Sequence, residues 1–249
     1  MHARFHAPDA ERPGDVVALP RDEAQHLIRV LRLKAGAAVR VFNGRGGEFD
    51  AVVATVMKDG AHVRVVAGRE AVPEARVAVT LAQAVLKGDK MDDVVRDAVM
   101  MGVAAIQPLV TTRSEVTLAS IRRGQRQERW QRIAVSSAKQ CGRAVVPAIL
   151  DPRAFEGVAA SLADMTLPGP GLMFVEPSPA IEALSLGDIE ATPPRETTVL
   201  IGPEGGWTAE EIERGSTACR LVTLGDRTLR ADAMALVALT ALFTRWREL

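Results

Sequence analysis

The stretch Val199-Leu200-Ile201-Gly202-Pro203-Glu204-Gly205-Gly206-Trp207 is a short apolar run that ends in a turn rich in glycine and proline. Thr208 follows it and Glu211 stands three residues later, which is the spacing of a helix capping box. The pattern predicts a buried strand, a loop of bare backbone and a helix whose first amides point toward that loop. Such a loop suits a ligand, although the same pattern also occurs in plain tight connections.

A second glycine turn, Leu224-Gly225-Asp226-Arg227-Thr228-Leu229-Arg230-Ala231-Asp232-Ala233, follows another short apolar run and also leads into a helix. From Val77 onward, apolar strands alternate with amphipathic helices, which is the order of a parallel sheet covered on both faces. Strands are predicted over 77–85, 104–110, 145–150, 172–175, 198–201 and 221–224, and helices over 89–101, 125–141, 153–163, 180–186, 208–217 and 231–246. Because ligands bind beyond the carboxyl ends of parallel strands, both turns and the segment 176–178 are expected to enclose one small molecule.

The first 72 residues have a different pattern. A helix is predicted over 22–33, and the apolar period then changes to two, with strands over 38–42, 48–57 and 62–66. The turn Asn43-Gly44-Arg45-Gly46-Gly47 between the first two strands is typical of a β-hairpin. We therefore predict two domains, a small strand-rich domain over 1–72 and an α/β domain over 73–249.

Composition excludes several classes of protein. The 249 residues are 47% apolar, enough for a core, but they contain neither a run of about 18 apolar residues nor a signal peptide, so we expect a cytoplasmic protein without a membrane partner. Cys141, Cys219 and the four histidines lack the spacing of a disulfide framework or a metal site, so no metal is expected. Net charge is zero, yet residues 113–143 carry eight basic against two acidic side chains. This local excess favours either an RNA-binding face or a solvated helix surface.

Several linked motifs carry a resemblance to one family. IGPEGGW followed by LGDRTLRADAMALVAL resembles the SPOUT methyltransferases, and among them the 16S ribosomal RNA methyltransferases that modify N3 of a uridine. LAQAVLKGDKMDDVVRDAVMMGV, RSEV and ERWQRIAVSSAKQCGRAVVP match the same family, and HLIRVLRLKAG with VFNGRGGEFDA resembles its PUA-like N-terminal domain. The resemblance implies a trefoil-knotted, mostly parallel α/β domain after a small PUA-like β-barrel domain. It also implies S-adenosylmethionine as cofactor, ribosomal RNA or the small ribosomal subunit as substrate, and a homodimer.

In that family the knot loops hold S-adenosylmethionine largely through backbone atoms, whereas the spacing here fits neither a nucleotide phosphate loop nor the dinucleotide pattern. The resemblance assigns cofactor binding to Glu176, Leu200, Gly202, Pro203, Glu204, Gly205, Gly206, Leu224, Gly225, Leu229, Arg230, Ala231 and Ala233. Glu204 either faces the cofactor or caps a helix.

Methylation of uracil N3 requires alignment and donors that stabilise the imide anion. We predict Arg230 in that role, with Arg113 and Arg143 behind it, and the proton acceptor stays open because Asp232 is either a base or a helix-dipole partner. Ala231-Asp232 stands where the family often has Thr-Glu, which puts the carboxylate's role in question. Predicted RNA contacts are basic residues of both domains: Arg29, Arg32, Lys34, Arg45, Lys87, Lys90, Arg122, Arg123, Arg126, Arg129 and Lys139.

Two alternative functions stay open. One is a ribose 2′-O-methyltransferase of the same superfamily, although its usual Asn-x-Gly-x-x-x-Arg helix and Asn-Val-Ser turn are missing here. The other is a non-catalytic RNA-binding assembly factor. The last helix has an apolar face that suits either a dimer interface or the core: Met234, Leu236, Val237, Leu239, Leu242, Phe243 and Trp246. Neither the methylated position nor the choice between free RNA and an assembled subunit follows from the sequence.

Overall fold

The structure is a computed structural model that describes residues 2–167 and 169–249. These residues form two compact units. The first contains the chain up to Glu74 together with Val135–Val146, and the second contains Ala75–Ala134 together with Pro147–Leu249. Helix α4 (Arg126–Cys141) therefore contributes its last residues to the first unit. The sequence does not indicate that α4 is divided between the two units, because the helical pattern runs through residue 135 without a break.

The first unit is built on a five-stranded sheet with the order β1-β3-β4-β5-β2. Its strands are β1 (Arg4–His6), β2 (Val16–Ala18), β3 (Ala38–Phe42), β4 (Glu48–Val56) and β5 (Ala61–Arg69). Strands β3 and β4 pair antiparallel, which confirms the predicted hairpin. Alternate side chains of these strands form the core, in which Phe5, Val41 and Val63 are fully buried.

The predicted helix over 22–33 is shorter and less regular than the sequence pattern indicates. Helix α1 (Arg21–Gln25) passes into a single π-helical turn over His26–Val30. Arg32 then adopts a left-handed conformation with φ of 50°, and the amide of Leu33 returns to the carbonyl of Leu27 at 3.1 Å. The apolar residues keep helical spacing, but this left-handed residue ends the helix.

The second unit contains an eight-stranded sheet in which β11-β13-β10-β12-β6-β7-β8 are neighbours in that order and β9 also pairs with β7. All of these pairs are parallel, as the alternation of strands and helices predicted. The strands are β6 (Ala78–Ala84), β7 (Ala105–Val110), β8 (Ala148–Ile149), β9 (Arg153–Ala154), β10 (Gly171–Phe174), β11 (Leu184–Ser185), β12 (Glu196–Ile201) and β13 (Cys219–Thr223). The helices are α2 (Lys90–Met101), α3 (Leu118–Arg123), the first half of α4, α5 (Phe155–Ala163), α6 (Ala209–Ser216) and α7 (Ala231–Arg245).

Two local predictions in this unit were wrong, and one helix was missed. The segment predicted as a helix over 180–186 forms the short strand β11 followed by a 3₁₀ turn over Leu186–Asp188, in which Asp188 accepts hydrogen bonds from Ser185. Helix α3 was not predicted and begins at a capping box between Thr117 and Ser120. The strand predicted over 145–150 is reduced to β8, because Val145 lies in the first unit and bridges to the β3–β4 turn.

The sheet order places β10 between β12 and β13. Because all three strands are parallel, their carboxyl ends lie at one edge of the sheet, and the two glycine turns leave from that edge. Helix α7 covers part of the sheet and buries Leu239, Leu242, Phe243 and Trp246, whereas Leu236 and Val237 stay exposed. No helix of residues 2–167 and 169–249 is long and apolar enough to cross a membrane.

Candidate functional site

A cavity of about 380 Å³ opens at this edge, within the second unit. Its apolar walls are Phe174, Val175, Pro177, Ile201, Trp207, Leu224, Leu229 and Met234. The two glycine turns contribute Gly202, Pro203, Gly206, Thr228 and Ala231, and the charged side chains at the cavity are Lys90, Glu176, Glu204, Arg227, Arg230 and Asp232. The loops after β10, β12 and β13 thus enclose one site, with apolar walls and a charged mouth.

Trp207 connects two of these loops. Its indole Nε1 donates a hydrogen bond of 2.9 Å to the carbonyl of Phe174, and its ring packs against Phe155 with a centroid distance of 5.1 Å. The same indole approaches Gly202 so closely that a Cβ at that position would lie 3.0 Å from the ring. A side chain at position 202 would therefore press against the indole, which would have to move by a few tenths of an ångström.

Gly206, in the same turn, lies close to Glu176. Its φ of 69° is a left-handed conformation that glycine adopts without strain, and a Cβ there would lie 3.2 Å from Oε1 of Glu176. The carboxylate of Glu176, from the loop after β10, consequently lies against the first glycine turn. A side chain at residue 206 would press on this carboxylate, which would have to move by a few tenths of an ångström.

The backbone of the first turn is held by polar side chains. Arg113 donates from Nη1 to the carbonyls of Gly205 at 2.8 Å and Trp207 at 3.1 Å. At the start of α6, Thr208 and Glu211 form the predicted capping box, which is confirmed, and the buried Glu211 also accepts a bond of 2.8 Å from the amide of Thr112. The loop between β12 and α6 is therefore a preorganised structure.

Lys90 and Glu204 form one charge pair at the cavity, with 3.0 Å between Nζ and Oε1. Glu204 also accepts a bond from the amide of Lys87, so it joins the glycine turn to the loop before α2. Burial raises the pKa of Glu204, but the bond from Lys90 and the backbone amides of Glu204 and Lys87 lower it, and the net pKa lies below its ordinary value. Glu204 is therefore a carboxylate at neutral pH.

Arg230 and Asp232 form the second pair. The guanidinium donates from Nε at 3.0 Å and from Nη2 at 2.6 Å, one bond to each carboxylate oxygen. The hydrogen bond from Arg230 is the main cause that lowers the pKa of Asp232 to about 2; burial opposes it, and the charges of Arg230 and Lys90 lower the pKa further. Such a carboxylate is a very weak proton acceptor at neutral pH, so its geometry suits the positioning of Arg230.

The structure brings most of the predicted cofactor residues to this cavity, and four of them lie elsewhere. Leu200 points into the core and is fully buried, because side chains alternate along β12. A Cβ at Gly205 would meet the stem of Arg113, Gly225 has open space around it, and Ala233 is exposed on α7. Gly205 therefore belongs to the support of the loop, and none of the four lines the cavity.

The predicted catalytic and RNA-binding arginines have varied surroundings. In the first unit, Arg143 is buried and paired with Glu74 through Nε at 3.0 Å, and Lys139 is paired with Glu23 at 2.9 Å, mostly out of solvent. Arg129 is paired with Asp89 and Asp92, and Lys87 with Glu115. Arg45 forms a loose pair of 3.5 Å with Glu11. The remaining predicted RNA residues other than Lys90 and the half-buried Arg126 are exposed: Arg29, Arg32, Lys34, Arg122 and Arg123.

Sequence reasoning did not assign several residues that line the cavity. Ile201 ends β12, Val175 directly follows β10, and Phe174 and Trp207 are joined by the indole hydrogen bond. Thr228 and Arg227 belong to the second turn, and Met234 comes from the first turn of α7. Trp207 belongs to the stretch 199–207 that predicted the loop, but only the structure shows that its ring packs against Gly202.

Within residues 2–167 and 169–249, no group of three or more His, Cys, Asp or Glu side chains could hold a metal ion.

Comparison with known proteins identifies the chain's relatives. The RNA methyltransferase domain family matches residues 73–243, and the RNA methyltransferase PUA domain family matches residues 19–66. A Bacillus subtilis protein named ribosomal RNA small subunit methyltransferase E is 28% identical over 224 residues, which cover 89% of this chain and 87% of that protein.

Two solved structures are similar over almost the whole length. A methyltransferase from Legionella pneumophila in complex with bound S-adenosylmethionine is 30% identical, with a TM-score of 0.87 and coverage of 98% of each chain. A ribosomal RNA small subunit methyltransferase E from Neisseria gonorrhoeae, also bound to S-adenosylmethionine, is 31% identical, with a TM-score of 0.85 and coverage of 99% of this chain and 98% of that one. The chain therefore belongs to the RNA methyltransferase family whose members include ribosomal RNA small subunit methyltransferase E.

Proposed function

We propose that this protein uses S-adenosylmethionine to methylate ribosomal RNA of the small subunit, at N3 of a uridine, during ribosome maturation in the cytoplasm. The observation that carries the proposal is the cavity of about 380 Å³ between two glycine turns, in a chain whose close structural relatives bind this cofactor. The name shared by the curated relatives supports ribosomal RNA as substrate.

The cavity fits the cofactor. Its volume lies within the range of about 300–1,000 Å³ that is usual for small-molecule sites. The buried side chains of Val175, Ile201 and Trp207 provide an apolar slot for an adenine ring, and the bare backbone at Gly202 and Gly206 allows hydrogen bonds to its edge. The bound cofactor supplies an activated methyl group on a sulfonium.

Arg230 is the residue proposed to act on the uracil. Its Nε and one Nη2 hydrogen are held by Asp232, which leaves the outer donors of the guanidinium for a carbonyl oxygen beside N3. A fixed positive donor at that oxygen stabilises the imide anion that forms when N3 loses its proton. Arg113 supports the same site indirectly, through the backbone of the first turn.

The N3 proton leaves to water in this proposal. Residues 73–249 contain no histidine, and the pKa of Asp232 is held at about 2. Arg230 therefore makes the uracil more acidic, and no side-chain base is assigned.

The deciding experiment measures transfer of labelled methyl to small ribosomal subunits prepared from cells that lack this enzyme, followed by nucleoside analysis. We expect 3-methyluridine from the wild type and about 100-fold slower transfer from Arg230→Gln, since a lost anion-stabilising donor costs about 10²–10³ in rate. Arg96→Gln is the matched control, because Arg96 pairs with Asp93 and Asp97 on α2 and does not line the cavity.

Other products would contradict the proposal in different ways. A 2′-O-methylated nucleoside would replace the base-methylation proposal with ribose methylation. Cofactor binding without transfer to free RNA or to subunits would favour a non-catalytic RNA-binding factor.

The RNA-binding role is proposed for residues 1–72 together with the exposed arginines of the α3–α4 region, and cofactor binding for residues 73–249. The exposed positions Arg29, Arg32 and Lys34 of the first unit and Arg122 and Arg123 of the second support this division. Basic residues that are free of carboxylate partners can neutralise RNA phosphates at little cost.

A homodimer is also proposed. Leu236 and Val237 on α7 are 37% and 39% exposed, whereas Leu239, Leu242 and Phe243 of that helix are fully buried. Light scattering at micromolar concentration is expected to show twice the chain mass, and Leu236→Asp with Val237→Asp is expected to give a monomer. A wild type that stays monomeric would exclude the dimer.

A further inference from the structure

The Lys90–Glu204 pair has no role in the proposed chemistry at uracil N3, yet both side chains line the cavity. Lys90 starts α2 and Glu204 stands in the first glycine turn, so the pair joins two separate segments across the cavity mouth. Their side chains are 38% and 36% exposed, whereas Phe174, Ile201 and Trp207 of the walls are almost completely buried. The cavity is therefore apolar inside and charged at its opening.

The proposed cofactor likewise has one apolar end and one charged end. Its adenine is flat and largely apolar, whereas its methionine end carries an α-carboxylate and an α-ammonium on one carbon. Desolvating both of these charges in the apolar interior would be expensive. A bound cofactor would therefore place its adenine in the slot and its methionine end at the mouth.

We infer that Lys90 and Glu204 together recognise the amino-acid end of the cofactor, with Lys90 binding the α-carboxylate and Glu204 binding the α-ammonium. This inference rests on the proposed function. A neighbouring cation and anion match the two charges that the ligand carries on one carbon, so each protein charge meets its opposite.

The other charges at the mouth are less suitable for this role. Arg230 gives two donors to Asp232 and extends into solvent, with 76% of its side chain exposed. Glu176 lies against the Gly206 turn. Lys90, in contrast, gives Glu204 one of the three N–H donors of an ammonium group, and no other acceptor binds it in the described part of the chain.

Three ligands test this assignment by isothermal titration calorimetry without RNA: S-adenosylmethionine, its decarboxylated form and 5′-methylthioadenosine, which lacks the amino-acid end. Lys90→Met is expected to weaken S-adenosylmethionine binding about tenfold, while the other two ligands change less than about twofold. Glu204→Gln is expected to lower the affinity for both ligands that keep the ammonium group, and to leave the affinity for 5′-methylthioadenosine unchanged. Lys90→Arg should restore most of the affinity, and Arg96→Gln on the same helix should match the wild type.

The affinities of the wild type and the variants decide between these interpretations. A loss confined to ligands that carry the matching charge supports the inference. Equal losses for all three ligands would show that the pair only shapes the cavity, and no loss would show that it does not touch the ligand; either result overturns the inference. A wild type that binds 5′-methylthioadenosine and S-adenosylmethionine equally also overturns it, whereas a wild type that binds neither overturns the proposed function itself.

Discussion

Each unit contains basic side chains paired with carboxylates, but the pairs differ in burial. In the first unit, Arg4 donates to both oxygens of Glu48 at 3.0 and 2.6 Å, and the two side chains are only 12% and 8% exposed. Arg4 also binds carbonyls at the end of α4 and lies 3.9 Å from the centroid of Phe42. In the second unit, Lys90–Glu204 and Arg230–Asp232 each keep at least one side chain more than a third exposed.

This difference in burial suits the buried pairs to stabilising the fold and the exposed pairs to binding a ligand. A buried charge that loses its partner stays desolvated, so the pair cannot open without a large cost in folding free energy. An exposed pair contributes about 0–1 kcal/mol and can exchange one partner for a ligand. The Arg4 network is accordingly suited to hold the end of α4 in the first unit, and the cavity pairs are suited to meet a charged substrate or cofactor.

The largest expected effect is on the Arg4 network. Arg4→Met leaves Glu48 buried without its cation and removes donors from the carbonyls of Ala138, Lys139 and Arg143. We expect the free energy of unfolding to fall by about 3–5 kcal/mol, measured by urea denaturation. Arg12→Met is the control, because Arg12 is 84% exposed in its pair with Asp15 and should change stability by less than about 1 kcal/mol. Similar losses for the two variants would erase the distinction between buried and exposed pairs.

The second-largest expected effect is a change in the pKa of Asp232. Arg230→Gln removes the main cause of its lowered pKa, so the pKa should rise from about 2 toward its ordinary 3.8, as followed by carbon NMR of the carboxyl group. Because the folded pKa is below the ordinary value, the pair stabilises the protein above about pH 4 and this contribution is lost as pH falls through 2. Arg227→Gln, in the same turn, should leave the pKa unchanged. A wild-type pKa near or above neutrality would make Asp232 a plausible base and remove its positioning role.

A smaller effect is expected at the glycine turns. Gly206 and Gly225 both have φ of 69°, but only a Cβ at Gly206 would approach another group, the carboxylate of Glu176. Alanine at either position should lower stability by about 1–2 kcal/mol because of the left-handed backbone. Only Gly206→Ala should also weaken cofactor binding, about tenfold, since it displaces a charged group that lines the cavity. Equal cofactor affinities of the two variants in calorimetry would show that Glu176 has no part in binding.

The smallest effect concerns RNA. Arg122 and Arg123 are exposed, whereas Arg129 is already paired with Asp89 and Asp92. The double variant Arg122→Ala with Arg123→Ala should reduce the slope of log affinity against log salt by about 0.7–0.9 for each RNA phosphate that the protein no longer neutralises. Arg129→Ala should change that slope less, because its charge is partly neutralised. An unchanged slope in the double variant would remove this region from the RNA-binding surface.

Local patterns predicted much of the fold and part of the site. The capping box at Thr208, the β3–β4 hairpin and the parallel sheet follow from short-range rules of propensity, spacing and hydrophobic period, so the sequence alone indicated them. The same rules failed where long-range contacts override them. Within the segment 180–186, Leu184–Ser185 pair with β13 as the short strand β11. Val145 bridges to the β3–β4 turn, in a different unit from residues 147–150 of its predicted strand.

The sequence by itself determined the family, through motifs whose order along the chain is specific, and it located the two turns that enclose the cavity. Only the tertiary structure decided which side chains face one another there. Leu200 turns into the core while Trp207 folds over Gly202, Lys90 reaches Glu204 from a segment more than 100 residues away, and Asp232 takes both donors of Arg230 on one side. The physical reason is that a charge's role depends on its burial and its partner, and both are properties of packing between distant segments.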